Sequence, residues 1–170
     1  IELSGNLGNN IFDGRLTSND ENFKLSFNGL ADFSKKINKF DFVADVSYAN
    51  LKAMNIVTRD ELSTFKGFVE MKMEGTSVDD AVGSIDFTNT YYKNEHDEYF
   101  FEDFSITSSF EGEKRFIDVN SPDIIEGQLS GIFTFKDIDL LFENAVGSIY
   151  TNYKPHKVSE NQYIDFNFKI

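Results

Sequence analysis

The chain of 170 residues contains no cysteine, so disulfides, thiolate metal sites and cysteine nucleophiles are excluded. Tryptophan is also absent, only two prolines occur, and no apolar run reaches the roughly 20 residues that span a bilayer. Basic residues are few, 16 against 29 acidic ones, which makes the formal net charge −13. Because duplex nucleic-acid binding depends on basic side chains that neutralise phosphates, we expect no nucleic-acid partner.

Phenylalanine is abundant instead, with 19 copies. Apolar and polar residues alternate over Phe23–Asn28, Phe40–Tyr48, Phe65–Glu74 and Ile125–Lys136, with apolar residues at only a few of the polar positions. A period of two is typical of a strand with one buried face, and about ten such strands fit between the turn clusters. Parallel strands need long crossovers, so the short connections favour an antiparallel meander. We predict a mainly β fold.

The inward face of this predicted sheet is rich in phenylalanine and must be covered by something. One interpretation is a long antiparallel sheet that curls around its apolar face and leaves a groove, as in a β-taco. The alternative is a closed β-sandwich with a filled core. Both bury the same side chains, so composition does not choose between them. The alternation nominates these groove-lining positions: Leu25, Phe27, Phe42, Val46, Val69, Met71, Leu129 and Phe133.

One segment departs from the strand period and predicts an amphipathic helix over about 138–152. Asp137 is placed as its N-cap, and Gly147 either ends the helix early or lies inside it. Strand alternation resumes over 162–170, so we expect the helix to be a junction before the start of a next strand set. The apolar stripe of the helix consists of Ile138, Leu141, Phe142, Ala145 and Ile149.

Few residues suggest chemistry. His96 lies among acidic residues, but neighbours on an extended chain point to opposite faces and cannot converge on one metal ion. We therefore predict a solvated hairpin tip over 94–98. The acidic pair Asp137-x-Asp139 lies at the start of the predicted helix, and Asp79-Asp80 lies near the start of a second, shorter helical turn predicted over 77–82. Carboxylates at such positions favour the helix dipole. We expect no catalytic residue, no metal site and no cofactor, and hence no enzyme.

Several glycine and apolar spacings along the chain form a recognisable set. They include Leu3-Ser4-Gly5-Asn6-Leu7, Leu25-x-Phe27-x-Gly29, Tyr48-Ala49-x-Leu51, Gly127-x-Leu129-x-Gly131 and Asp137-Ile138-x-x-Leu141-Phe142. Together they resemble the large AsmA-like TamB proteins of Bacteroidota, the translocation and assembly module family, over roughly residues 2 to 156. The pattern departs from that family at 58–62 and 94–98, where we place only loops.

The resemblance implies a cell-envelope protein of the periplasm, anchored in the inner membrane through an N-terminal helix that lies outside this sequence. Its long sheet would form an apolar conduit for phospholipid and support outer-membrane biogenesis. A C-terminal domain, also outside this sequence, would engage an outer-membrane barrel protein of the assembly-factor type. Residues 1–170 would then be a single segment of an elongated β-groove. The residues alone leave an alternative open, a structural or binding β-sandwich module of a bacterial surface protein.

Overall fold

The computed structural model describes residues 1–122, 124–150, 152–159 and 161–169. The described residues form ten strands, a 3-10 turn over Phe135–Asp137 and one helix, α1 (Ile138–Gly147). The strands are β1 (Glu2–Gly8), β2 (Ile11–Asn19), β3 (Phe23–Asp32), β4 (Asn38–Asn50), β5 (Ser63–Gly75), β6 (Val82–Asn94), β7 (Glu98–Glu111), β8 (Lys114–Ser121), β9 (Ile125–Ile132) and β10 (Tyr163–Lys169).

The strands build one antiparallel sheet in which each strand pairs with the next along the chain. The sheet is open, with β1 and β10 as its edges among the described residues. The first turn shows why a meander forms: Asn9 and Asn10 have φ of 51° and 61°, which suits a tight hairpin between β1 and β2. The predicted mainly β fold with a long antiparallel sheet is confirmed. The described residues form one sheet and not two, so the closed β-sandwich alternative is wrong.

Strand pairing separates the side chains into two faces, because directly opposed residues in an antiparallel pair point to the same side. Charged residues alternate with the apolar ones and share the other face, as Asp41, Lys72 and Asp118 do. One face of the sheet is therefore apolar and the other polar. A register slip of one residue would exchange the faces, so the alternation also specifies the register.

Three glycines lie opposite one another across the first strands, Gly5, Gly14 and Gly29. Their backbone φ values lie between 139° and 159°, a conformation that residues other than glycine rarely adopt. A Cβ atom added to Gly29 would lie 2.3 Å from the backbone oxygen of Asp41. Glycine is therefore required where these backbones approach so closely.

The helix and the strand before it are both shorter than predicted. Alternation runs to residue 136, but β9 ends at Ile132, and α1 ends at Gly147 rather than near 152. Gly147 is buried against the ring of Tyr153, and Tyr150 donates its backbone N–H to the carbonyl of Gly147, which closes a turn. Residue 151, within the predicted helix, lies outside the described residues. Past the helix, β10 pairs with β9 and continues the same sheet.

Asp137 precedes α1 as predicted, but its side chain makes no cap hydrogen bond. Its carboxylate instead accepts hydrogen bonds from Ser159 Oγ at 3.0 Å and Gln162 Nε2 at 3.2 Å. These bonds lower the pKa of the Asp137 carboxyl below its ordinary value. The ionised carboxylate thus ties the segment after the helix to the 3-10 turn before it.

We expect the Asp137→Asn variant to loosen this tie and to change its pH dependence. A carboxyl with a lowered pKa in the folded state stabilises the fold at neutral pH, and that contribution is lost as the pH falls through the folded-state pKa. The protection of the amides in α1 and 152–159, after correction for the intrinsic pH dependence of amide exchange, should therefore weaken on acidification in the native protein. The variant should exchange faster at neutral pH and show a weaker acid dependence. Identical pH profiles would contradict this role.

Candidate functional site: the apolar face of the sheet

The apolar face is organised as three rows of side chains that cross the strands. We define each row by directly opposed residues. The central row is Gly5, Gly14, Gly29, Phe42, Met71, Ile85, Ile106, Val119, Gly127 and Phe168. The lower row is Leu7, Phe12, Ala31, Phe40, Met73, Gly83, Ser108, Ile117, Leu129 and Phe166. The upper row is Leu3, Leu16, Phe27, Ala44, Val69, Phe87 and Phe104.

These rows contain no charged residue, and Ser108 is their only member with a polar side chain. Neighbouring strands lie about 4.8 Å apart, so a row across ten strands is about 43 Å long. Aromatic rings contact one another along and between rows: ring centroids are 4.8 Å apart for Phe27 and Phe42, and 6.0 Å apart for Phe87 and Phe104. The apolar surface is therefore continuous across the whole sheet.

Two clusters cover parts of this face. At one end of the sheet, buried Leu25 and Val46 pack with Leu51 and Met54 from the loop after β4. At the other end, buried Ile117, Leu129, Phe133 and Leu141 pack together, with further contacts from α1. Because β4 and β9 run in opposite directions, the loop and the helix lie at opposite rims of the sheet.

Most of the middle of the face, on β5 to β7, lies outside both clusters; Phe65 packs against the first cluster and Ile106 against the second. Its residues are half-buried by their neighbours in the sheet, and no other described element packs over them. The open sheet and its two partial covers thus leave an uncovered apolar strip between them, which we call the trough. The residues of this open middle section are Val69, Met71, Met73, Ile85, Phe87 and Phe104.

All eight positions nominated as groove-lining belong to this apolar surface. Leu25, Val46, Leu129 and Phe133 are buried in the two clusters. The other four are half-buried members of the rows. They are Phe27, Phe42, Val69 and Met71.

The nominated helix stripe is partly wrong. Leu141 is buried, and Ile138 and Phe142 pack against the same cluster. Ala145 is exposed, and Ile149 is 81% exposed because the helix has already ended. The exposure of Ala145 and Ile149 follows from a contact of Asn144, whose amide oxygen accepts a hydrogen bond from the backbone N–H of His156 at 2.7 Å. The last helical turn therefore contacts the following segment rather than the sheet.

The two loops that depart from the family pattern contact each other. Glu95 Oε2 accepts the backbone N–H of Glu61 at 2.8 Å, and the hydroxyl of Tyr92 lies 3.4 Å from Asp60. The adjacent Arg59 guanidinium lowers the pKa of the Asp60 carboxyl. His96, at the tip, has a side chain that is 75% exposed. Sequence reasoning missed this contact because nothing in either loop identifies the other as its partner.

No group of three or more metal-ligating side chains is present among the residues that the structure describes. In the same part of the chain, no helix combines the length and the apolar character needed to cross a membrane. No protein-family model, curated protein or solved structure matches the chain. The functional argument therefore depends on the apolar face itself.

Proposed function

We propose that this chain is a segment of a lipid conduit, in which the apolar face shields phospholipid acyl chains from water. One observation carries the proposal. Three uncharged rows cross an open sheet, and the middle of that face is covered by no described element. A protein that needed only a filled core would cover this surface, since exposed apolar patches of this extent are rare unless they bind something.

The dimensions of the trough suit an acyl chain. The hydrocarbon core of a bilayer is about 30 Å thick, so one acyl chain extends about 15 Å. A full row of about 43 Å is longer than one chain, and the open section on β5 to β7, about 10 Å across, leaves the middle of such a chain on an uncovered surface. Each buried CH₂ group contributes about 0.8 kcal/mol, so a chain lying on the rows is held firmly without any specific contact.

Transport also requires that no point along the path binds a lipid much better than the next. The open middle section meets this requirement, because its lining consists of half-buried apolar side chains without a charge or a hydrogen-bonding group. Its members make dispersion contacts that are weak individually and nearly equal from strand to strand. A chain can therefore shift by one strand spacing while it keeps most of its contacts.

The proposal also includes the cellular location and the partner protein of this conduit. The resemblance to TamB proteins supports a role in the periplasm, within a protein anchored in the inner membrane and linked to an outer-membrane barrel protein of the assembly-factor type. The function is then non-enzymatic support of outer-membrane biogenesis. Phospholipid is the proposed cargo.

Photocrosslinking in cells tests the proposal. A photoreactive residue at Met71, on the open middle of the apolar face, should capture phospholipid. The matched control is the next residue, Lys72, whose exposed side chain lies on the polar face. Capture at Met71 without capture at Lys72 is the expected result. Equal capture at both positions, or none at either, would contradict the proposal.

A further inference from the structure

Arg115 is the one charged residue at an inward position of β8. It lies opposite Phe110 and Gly131, one step beyond the lower row. Arg115 is only 3% exposed, although arginine is almost never fully buried without a partner. Sequence reasoning did not identify Arg115, because one charged residue hardly changes the alternation of apolar and polar residues along β8.

The surroundings of the guanidinium are mostly aromatic. Its central carbon lies 4.7 Å from the ring centroid of Phe135, 5.4 Å from that of Phe110 and 6.0 Å from that of Phe133. Nε and Nη2 each lie 3.1 Å from Ser108 Oγ, and Nη2 donates to the carbonyl of Ala81 at 3.3 Å. Nη1 is buried and has no hydrogen-bond partner among the described residues.

This charge also lacks a paired anion. Arg115 forms no ion pair with any carboxylate in the described ranges. The nearest acids have other partners: Asp79 accepts the backbone N–H of Phe135 at 2.7 Å, and Asp80 accepts those of Thr76 and Ser77. Burial lowers the pKa of Arg115, while Asp79 and Asp80 act in the opposite direction. Burying a guanidinium without a paired anion is unfavourable, and an anion at Nη1 would relieve it.

We propose that Arg115 binds the anionic head group of an acyl-chain amphiphile whose tail lies on the apolar face. Nη1 is the donor left for the phosphate or carboxylate oxygen. The tail would extend past Ser108 along the lower row to Gly83 and Met73, since Ile117 and Leu129 on the other side are buried. The inference rests on the proposed function and adds the charge of the head group to it.

Entry to this site requires the ring of Phe135 to move. That ring is 40% exposed and lies over the guanidinium, and its backbone is held to the turn between β5 and β6 by the hydrogen bond to Asp79. Side-chain rotation at a partly exposed position is fast. Phe135 is therefore the movable cover of the site.

Binding of decyl phosphate and of neutral decanol to the intact purified protein, measured by titration calorimetry below micelle-forming concentrations, tests the proposal. We expect decyl phosphate to bind about tenfold more tightly than decanol, as one hydrogen bond to a charged group allows. The Arg115→Met variant should lose this preference and still bind decanol. The control Arg15→Met, on the polar face, should keep it, since Arg15 is exposed and its guanidinium donates a hydrogen bond to Asn28.

Other results of this experiment would overturn the head-group site, the lipid as its ligand, or both proposals. Equal affinity for the two amphiphiles in the native protein, or a preference that survives in Arg115→Met, would overturn the head-group site and leave the conduit intact. Inorganic phosphate that binds as tightly as decyl phosphate would overturn a lipid as the source of the anion. Failure of both amphiphiles to bind would refute the conduit proposal, and the head-group site with it.

A second variant keeps the test decisive if Arg115→Met does not fold. Phe135→Ala retains the guanidinium and removes its partly exposed cover. We expect its affinity for decyl phosphate to rise several-fold while its affinity for decanol stays unchanged. An unchanged or weaker affinity for decyl phosphate would overturn the proposal.

Discussion

Replacing Phe42 by Asp is expected to block lipid passage in a protein that still folds. Phe42 lies in the central row between Gly29 and Met71, and its ring contacts that of Phe27. A carboxylate at this point would have to lose its water whenever an acyl chain passed, which costs several kcal/mol. Since each 1.36 kcal/mol of barrier slows a step about tenfold, transport should fall by about a hundredfold or more. Measuring outer-membrane phospholipid in cells that depend on the variant would show this effect.

Two controls separate blocked transport from lost packing. Val43→Asp places the same charge one residue away on the polar face, opposite Asn28 and Glu70, and should leave transport near the native level. Phe42→Ala removes the ring contact without adding a charge and should reduce stability more than transport. If Phe42→Asp accumulated to native levels and lipid composition stayed unaltered, the conduit would not pass this position.

Replacing Gly29 by Ala is expected to destabilise the fold strongly. The new Cβ would lie 2.3 Å from the backbone oxygen of Asp41 and 2.5 Å from the Cα of Phe42, at a φ of +145° that alanine rarely adopts. Backbone strain and overpacking each cost about 1–3 kcal/mol, so the free energy of unfolding should fall by about 3 kcal/mol. Chemical denaturation of the purified protein measures this change.

Gly8 provides the matched control. It follows Leu7 at the end of β1, and a Cβ added there meets no atom within 4 Å. Gly8→Ala should therefore change the free energy of unfolding by no more than about 0.5 kcal/mol. Equal destabilisation by the two substitutions would show that the close approach at Gly29 is not what requires glycine.

The sheet could be predicted from the sequence because its determinants are local. Alternation over Phe40–Tyr48 or Phe65–Glu74 indicates a strand with one buried face, and this inference needs no information from the rest of the chain. Short turns between such strands leave few topologies other than a meander. The same alternation identified inward positions such as Phe42 and Met71. Cross-strand rows then follow from the register, which the two-faced pattern itself specifies.

Features that depend on tertiary contacts could not be predicted. Helical periodicity continued to Ile149, but Asn144 binds the segment around His156 and the helix ends at Gly147. The loops at 58–62 and 94–98 carried no sign of their mutual contact. The burial of Arg115 beneath Phe135 depends on the connection after β9 reaching the turn between β5 and β6. No local pattern encodes any of these contacts.

The most direct test of an acyl-chain trough is paramagnetic broadening in the methyl NMR spectrum of the intact protein on addition of a fatty acid that carries a nitroxide on its tail. Methyl signals of Val69, Met71 and Ile85, on the open middle of the apolar face, should broaden strongly. Those of Val43 and Ile132, on the polar face and therefore farther from the label, should broaden much less. Broadening of both faces alike, or of neither, would contradict the claim that this face holds acyl chains.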